Sequence, residues 1–323
     1  MKFIFALLAL AAIGLASAAP LTESQYEFLF TRFVKQYSKE YNTKSFFARY
    51  NVFKANLNTV LEHNQKGLSY KMAINEFGDL SAEEFKKRMG LKPVKGNFMR
   101  SLNVADLSKV KEVEKIDWRT EGAVNEMKNQ GQCGSCWAFS SNAAIEGEVQ
   151  IKTGKLYRLS ESQLVDCTTT YGNYGCNGGY MTNAFEFVID NKGLCTEDDY
   201  PYSPTDGTCS TSCTPVAPIK SYTNIKVGSE TDLLKAISKT VVAVAVDASS
   251  GFQFYSEGIF TGSCGEEMNH AIAAIGYDLT NETPYYIVRN SWGTSWGEEG
   301  NIRMAIGTNL CGITNLASFV TSA

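Results

Sequence analysis

The run Asn129–Gly147, NQGQCGSCWAFSSNAAIEG, places a thiol where it could become a nucleophile. A thiol attacks only as the thiolate, a form favoured by a helix N-terminus or a neighbouring imidazolium. Gly131 and Gly134 break regular structure, and Ser135 is a fair N-cap. Trp137, Ala138, Phe139, Ala143, Ala144, Ile145 and Val149 then supply an apolar helical face. Cys136 is therefore expected in the first turn of a buried helix, at its partly positive end. Gln130, six residues earlier, can bring a neutral amide donor towards it. Bases are scarce: the chain has two histidines, and only His270 lies downstream. Two other readings compete. Cys133 and Cys136 form a C-x-x-C, as in a redox pair or half a zinc site. The sequence offers no second ligand cluster, and the motif does not follow a strand in a short βαβ unit. Cys136 could also be half of a structural disulfide, but nine cysteines is an odd number.

The elements that would position this thiol follow from the rest of the chain. Its 323 residues suffice for two compact units and extras, with ordinary contents of 44% hydrophobic and 20% charged residues. No apolar run of about 18 residues follows the N-terminus, so no membrane span is expected. Residues 1–18 read as a signal peptide: Lys2, the apolar core FIFALLALAAIGL, then Ala16-Ser17-Ala18. Entry into the secretory pathway permits disulfides. Residues 19–111 carry a net charge of +7 and no Cys or Trp, whereas 112–323 carry −12. That reversal suggests two units that touch. Ser24 to about Gln65 is helical in pattern and rich in Phe and Tyr, and His63 reads there as a surface residue. Residues 90–115 lack periodicity and read as a loose, cleavable linker, with the next unit starting near Glu112. From about 118 to 222 the pattern is helical, at 136–150, 160–166 and 179–190. From 223 to 323 it is β-rich, at 241–246, 271–277, 284–290 and 300–306. The class is α+β, with Cys136 on one half, His270 on the other and the site in the cleft between them.

QGQCGSCWAFS resembles the active-site segment of papain-like cysteine proteases of the cathepsin L type. His270 follows Cys136 by 134 residues and Asn290 by 154, close to that family's signature. MNHAIAAIGY around His270, VRNSWGTSWGEEG around Asn290, SESQLVDC ending at Cys167 and GCNGG ending at Gly179 also resemble it. The segment before 112 is similar to the inhibitory propeptide of these enzymes. One motif is Arg49, Phe53, Asn56, Val60 and Asn64, with Ser45 where Glu is usual. The second is Asn75, Phe77 and Asp79, with Ala73 where Gly is usual. The resemblance implies a two-domain papain-like fold, with a helical left domain, a β-barrel-like right domain and an active-site cleft between them. It implies the order signal peptide 1–18, helical inhibitory propeptide 19–111 and peptidase domain 112–323. The propeptide would lie along the cleft in the reverse direction to a substrate.

The resemblance also implies disulfides Cys133–Cys176, Cys167–Cys209 and Cys264–Cys311. A fourth bridge is expected between the remaining Cys195 and Cys213, leaving Cys136 free. Acyl transfer from an amide needs a nucleophile, a proton carrier and an oxyanion cradle. Cys136 would attack, His270 would form the ion pair and protonate the leaving amine, and Asn290 would orient the imidazole. Trp292 would shield that hydrogen bond, and the Gln130 amide with the Cys136 N–H would hold the oxyanion. Substrate would pair with the backbone of Gly178 and Gly179. Tyr180, Met181, Ala245, Met268, Asn269 and Ala271 would line its subsites, with Leu316 at the floor of the pocket for the residue two positions before the cut. That uncharged pocket favours a hydrophobic residue there.

A catalytically silent relative would usually lack one of these groups. A free-standing inhibitor would lack the second half, and an acyltransferase use of the same dyad calls for a hydrolysis assay. Exopeptidases usually need a cleft-blocking insert; the two-histidine insert of cathepsin B is excluded, since His270 is the only histidine after the propeptide, so endopeptidase action is favoured. No metal, cofactor or nucleic acid is expected. Partners would be protein and peptide substrates, the chain's own propeptide and cystatin-like inhibitors, for a monomer in a lysosome, in a digestive vacuole or outside the cell.

Overall fold

The computed structural model describes residues 20–91, 104–249, 251–265 and 267–323; the expected signal peptide and most of the expected linker lie outside the described residues. The chain divides into two compact units, as far as Ala55 and from Asn56 to Ala323. In the first, helix α1 (Glu23–Gln36) starts at Thr22, which shares a reciprocal capping box with Gln25. It buries Tyr26, Phe30 and Phe33. Helix α2 (Thr43–Gln65) answers with Phe53, whose ring lies 5.3 Å from Phe30 and 5.0 Å from Phe33. Glu23 accepts from Tyr50 and pairs with Lys54. The unit boundary falls within α2.

In the second unit, the end of α2 is read by backbone. Asn56 Nδ2 donates to Gly78 O and Leu80 O at 2.9 Å, and Asn64 exchanges bonds with Met72. His63 is buried, contrary to the surface position expected. It lies on the side of α2 facing β1 (Tyr70–Met72), with Nε2 3.1 Å from Tyr70 O and its ring 4.3 Å from the Tyr70 ring. Helix α3 (Ala82–Lys86) starts with a capping box between Ser81 and Glu84.

The next elements are β2 (Lys115–Asp117), α4 (Cys136–Thr153), α5 (Glu161–Cys167), α6 (Met181–Asp190), β3 (Ile219–Asn224), α7 (Glu230–Ile237) and β4 (Val242–Val246). They are followed by β5 (Tyr255–Phe260), β6 (His270–Asp278), β7 (Tyr285–Arg289), β8 (Asn301–Ala305) and β9 (Ala317–Ser322). The strands form one sheet in the order β1-β5-β8-β7-β6-β4-β9-β3, with β2 also paired to β6. Strands β4 and β6 are buried along their whole length, which accounts for their unbroken apolar sequences. Helix α4 is likewise buried on nearly all sides, not on one face alone, and takes Glu146 and Glu148 with it. Two large apolar clusters result, one joining helices α4–α6 to residues of β3, β4, β6 and β9, the other within the sheet and taking in α7.

The expected linker is partly docked. Leu91 bridges Gly179, Val104 bridges Asn224, and Leu107 is buried. Lys115–Asp117 pairs with β6, where Lys115 first, then Thr280, holds the Asp278 carboxyl down at about 2. Disulfides join Cys133–Cys176, Cys167–Cys209, Cys195–Cys213 and Cys264–Cys311, and Cys136 is free.

Candidate active site

Cys136 is the first residue of α4. Ser135 stands at the N-cap, but its side chain caps nothing: its Oγ lies 2.7 Å from Tyr202 Oη. The sulfur instead receives the Ala271 N–H at 3.4 Å, with the N–H groups of Gly90, Trp137 and Cys136 also turned to it. The loop before it is held by Cys133–Cys176 and by Gly134 N–H donating to Cys176 O at 2.9 Å. The thiol is wholly buried. Burial pushes its pKa up to about 11, against the pull of those N–H groups.

His270 opens β6, and Asn290 follows the last residue of β7. Pairing of Ala273 with Arg289 brings Asn290–Trp292 alongside Ala271 and His270. His270 Nε2 lies 2.8 Å from Asn290 Oδ1. That same oxygen accepts the Ser291 N–H at 2.8 Å, so it is an acceptor and Nε2 must carry the proton. Nδ1, the other ring nitrogen, has no hydrogen-bond partner. The Trp292 ring stacks on the imidazole at 4.5 Å, and the edges of Phe77 and Phe85 meet that indole at 5.6 and 5.1 Å. Burial lowers the His270 pKa to about 4, against the raising effect of its bond to Asn290. Both members of the pair are thus driven towards their neutral forms.

Gln130 Nε2 donates to Cys133 O at 2.9 Å and, more weakly, to Arg88 O at 3.4 Å. Ser291 Oγ donates to Gln130 Oε1 at 2.6 Å and fixes which way the amide faces. Tyr202 Oη bonds Gln130 O at 2.8 Å, tying this residue to Ser135. Neither Ser291 nor Tyr202 was singled out from sequence; Ser291 at least stands between two residues that were. Behind the site, Lys128 meets Glu146 and Glu161 at 2.9 and 2.6 Å, all three buried. Burial opposes the Lys128 charge, but the two carboxylates outweigh it and raise its pKa. Burial in turn pushes Glu161 up to about 7, against Lys128. Arg289 of β7 donates to Asn125 O and Glu126 O, stitching the sheet to the loop before α4.

The expected substrate groove holds residues of the chain itself. Gly179 N–H donates to Gly90 O at 2.9 Å, Leu91 N–H donates to Asn269 O at 3.1 Å, and Leu91 runs parallel to Gly179. Gly178 O accepts from Tyr174 N–H at 2.8 Å. Leu91 is buried in one apolar cluster with Met181, Ala245, Met268, Ala271 and Leu316, and Tyr180 packs against it. Among the described residues no group of three or more His, Cys, Asp or Glu side chains could hold a metal. No helix there is long and apolar enough to cross a membrane.

A fold with a thiol at a helix start and a His–Asn pair across the seam defines a thiol-hydrolase architecture. Comparison with known proteins makes this specific. Residues 113–321 match the model of the papain family of cysteine proteases, and residues 30–85 match the cathepsin propeptide inhibitor domain. A cysteine protease of Arabidopsis thaliana, XCP2, is 47% identical over 305 residues, covering 91% of this chain and 85% of its own. Vignain of Ricinus communis is 47% identical over 285 residues, covering 84% and 79%. Among solved structures, recombinant stem bromelain precursor superposes with a TM-score of 0.83 at 37% identity, covering 92% and 99%. Digestive procathepsin L 3 of Tenebrio molitor gives 0.84 at 36%, covering 93% and 100%. The chain belongs to the papain family of cysteine proteases, and it carries that family's inhibitory propeptide domain ahead of the peptidase domain.

Proposed function

We propose that this chain is a cysteine endopeptidase precursor, with signal peptide 1–18, propeptide 19–111 and peptidase domain 112–323. Cys136 is the nucleophile, and the free Nδ1 of His270 is the base that takes its proton. Asn290 positions the imidazole through Nε2, and the Gln130 amide and Cys136 N–H receive the oxyanion. One observation carries the reading: Gly90 and Leu91 lie along Gly179, with the Gly90 N–H turned to the Cys136 sulfur, in the groove a substrate would need. While they stay there, the pair is covered and neutral; their removal uncovers it. Leu91 among Met181, Ala245, Met268, Ala271 and Leu316 supports a preference for Leu-sized apolar residues two positions before the cut. An Arg there would be buried without a partner, at several kcal/mol. We further propose acid-promoted activation in a lysosome-like or vacuolar compartment or after secretion, action as a monomer, and cystatin-like inhibitors as partners at the same cleft.

The test is hydrolysis of fluorogenic Leu-Arg, Phe-Arg and Arg-Arg peptides after acid treatment, with a mapped epoxysuccinyl label. Cys136→Ala and His270→Ala should abolish turnover, and Asn290→Ala should leave a reduced, measurable rate. Label should fall on Cys136, and Leu-Arg should be cut fastest. Wild-type activity in Cys136→Ala would sink the assignment, and fastest cutting of Arg-Arg would sink the pocket reading.

A further inference from the structure

Residues 104–111, VADLSKVK, sit on the sheet at a place remote from the thiol. Val104 bridges Asn224 in parallel, and Ala105 N–H donates to Asn224 O at 3.0 Å. Asn224 ends β3, three strands beyond β6 in the sheet order. Leu107 is only 6% exposed and belongs to the apolar cluster that includes Ile225, Leu233 and Leu234; Ala105 and Val110 pack on the same cluster. Asp106 is held ionised first by hydrogen bonds from Ser108, and the charge of Lys235 on α7 also draws its pKa down. The chain that follows is anchored separately. Val113 N–H reaches Ser238 Oγ at 3.4 Å, and Val113 O accepts from Tyr277 Oη at 2.8 Å.

If processing removes the chain up to about residue 111, it leaves a backbone acceptor at a sheet edge beside the uncovered part of that apolar cluster, with the Lys235 charge close enough to act on an acidic side chain. Those are the parts needed for an extended peptide to add as a strand. We propose that in the processed enzyme this groove binds an extended segment with an acidic residue followed by leucine, as Ala105-Asp106-Leu107 does in the precursor. Unfolded protein substrates dock there while another stretch of their chain is cut at Cys136. The proposal rests on the peptidase reading above and on loss of residues 104–111.

The probe is a labelled peptide of sequence 104–111, titrated into processed enzyme whose Cys136 has been covalently blocked. Anisotropy should report binding, at least about tenfold weaker for the Leu107→Ala peptide. Enzyme Lys235→Glu should bind the native peptide less well and the Asp106→Lys peptide better. With unblocked enzyme, excess peptide should slow degradation of an unfolded protein and leave dipeptide hydrolysis unchanged. No binding, equal slowing of both substrates, or slowing of neither overturns the proposal. N-terminal sequencing that finds residues 104–111 retained overturns it too, with the peptidase reading intact. Absence of dipeptide hydrolysis would instead mark failure of the peptidase reading itself.

Discussion

The segment Tyr70–Leu91 meets the two walls of the cleft by different means. Against the β-rich half it uses side chains and strand pairing. Strand β1 pairs with β5, Asn75 Nδ2 donates to Gln253 O at 2.6 Å, and Gln253 Nε2 returns bonds to Phe77 O and Leu80 O. Phe77 and Phe85, each 1% exposed, close over Trp292. Against the helical half it uses mostly backbone. Gly90 O accepts from Gly179, and Arg88 reaches Gly131 O at 2.7 Å. A Cβ on Gly90 would run into the Gly134 backbone. One wall is thus held mainly by buried area and the other mainly by closeness of approach, with Leu91 adding buried area beside Met181. The first kind of grip should be strong and gradable; the second should depend on single atoms.

The rate at which the full-length precursor is labelled at Cys136 at pH 7 reports how often the cover opens, and it can break this comparison. Truncating a buried Phe costs about 3–5 kcal/mol. Phe85→Ala should therefore raise the labelling rate by roughly 10²- to several 10³-fold. An increase below about threefold would mean that the aromatic contacts are incidental.

The same aromatic cover sets the charge state beneath it. Burial lowers the His270 pKa from 6.5 to about 4. For a base with a depressed pKa, folding is unpenalised above about 6.5, and the penalty grows as pH falls, reaching its full size near 4. The precursor should lose up to about 3 kcal/mol of stability across that window from this residue. Cys136, raised to about 11, acts in the other direction, since its neutral form is favoured below about 9 and that advantage fades as alkali approaches 11. Thermal unfolding of a Cys136→Ala precursor, which cannot cut itself, should show the acid loss, and adding His270→Gln should flatten it. Parallel curves for the two variants would remove His270 as a source of acid sensitivity.

On the helical wall, Gly90→Ala forces a methyl into backbone that has no side chain to move aside. Overpacking of that kind costs about 1–3 kcal/mol. The labelling rate should rise about 10- to 100-fold, with Gly90→Ser no better. A null effect would show that the helical wall yields, and that closeness is not what holds it.

How far each wall could be read from sequence follows the same division. The helical wall is nearly contiguous: Gln130, Cys133, Gly134 and Cys136 lie in one run, so the thiol's place at a helix start was legible without knowing any partner. On the β side, strands β4, β6, β7 and β8 fall within one residue of the expected runs, because β4 and β6 are buried throughout and β7 and β8 keep buried apolar residues at Tyr286, Ile287, Val288, Ile302 and Met304. Strands β3, β5 and β9 were not seen. Their residues are mixed, as in YSEGIF, and their conformation is decided by the strand alongside. His63, Leu107 and the bond from Ser135 to Tyr202 share that cause: each is fixed by a residue distant in the chain. The +7 against −12 charge split was legible, but it gave the sign of an attraction without its size.

That size decides the smallest effect. An ion pair joins Lys86, the last residue of α3, to Glu267 of the β-rich half at 2.9 Å, with both side chains more than half exposed. The pairing raises the Lys86 pKa, first through the hydrogen bond to Glu267. Exposed pairs contribute about 0–1 kcal/mol and fade with salt. Against the several kcal/mol expected of buried Phe77 and Phe85, such a pair cannot hold the cover, even with a few others like it. This favours apolar packing over the charge split as the main grip, and it makes salt a weak trigger. Lys86→Met should change the labelling rate less than about fivefold. About 0.5 M NaCl, which shortens the screening length to a few Å, should move the wild-type rate by no more than that variant does. A large rise in salt alone, matched by Lys86→Met, would return the charge split to the leading role and demote the aromatic wall.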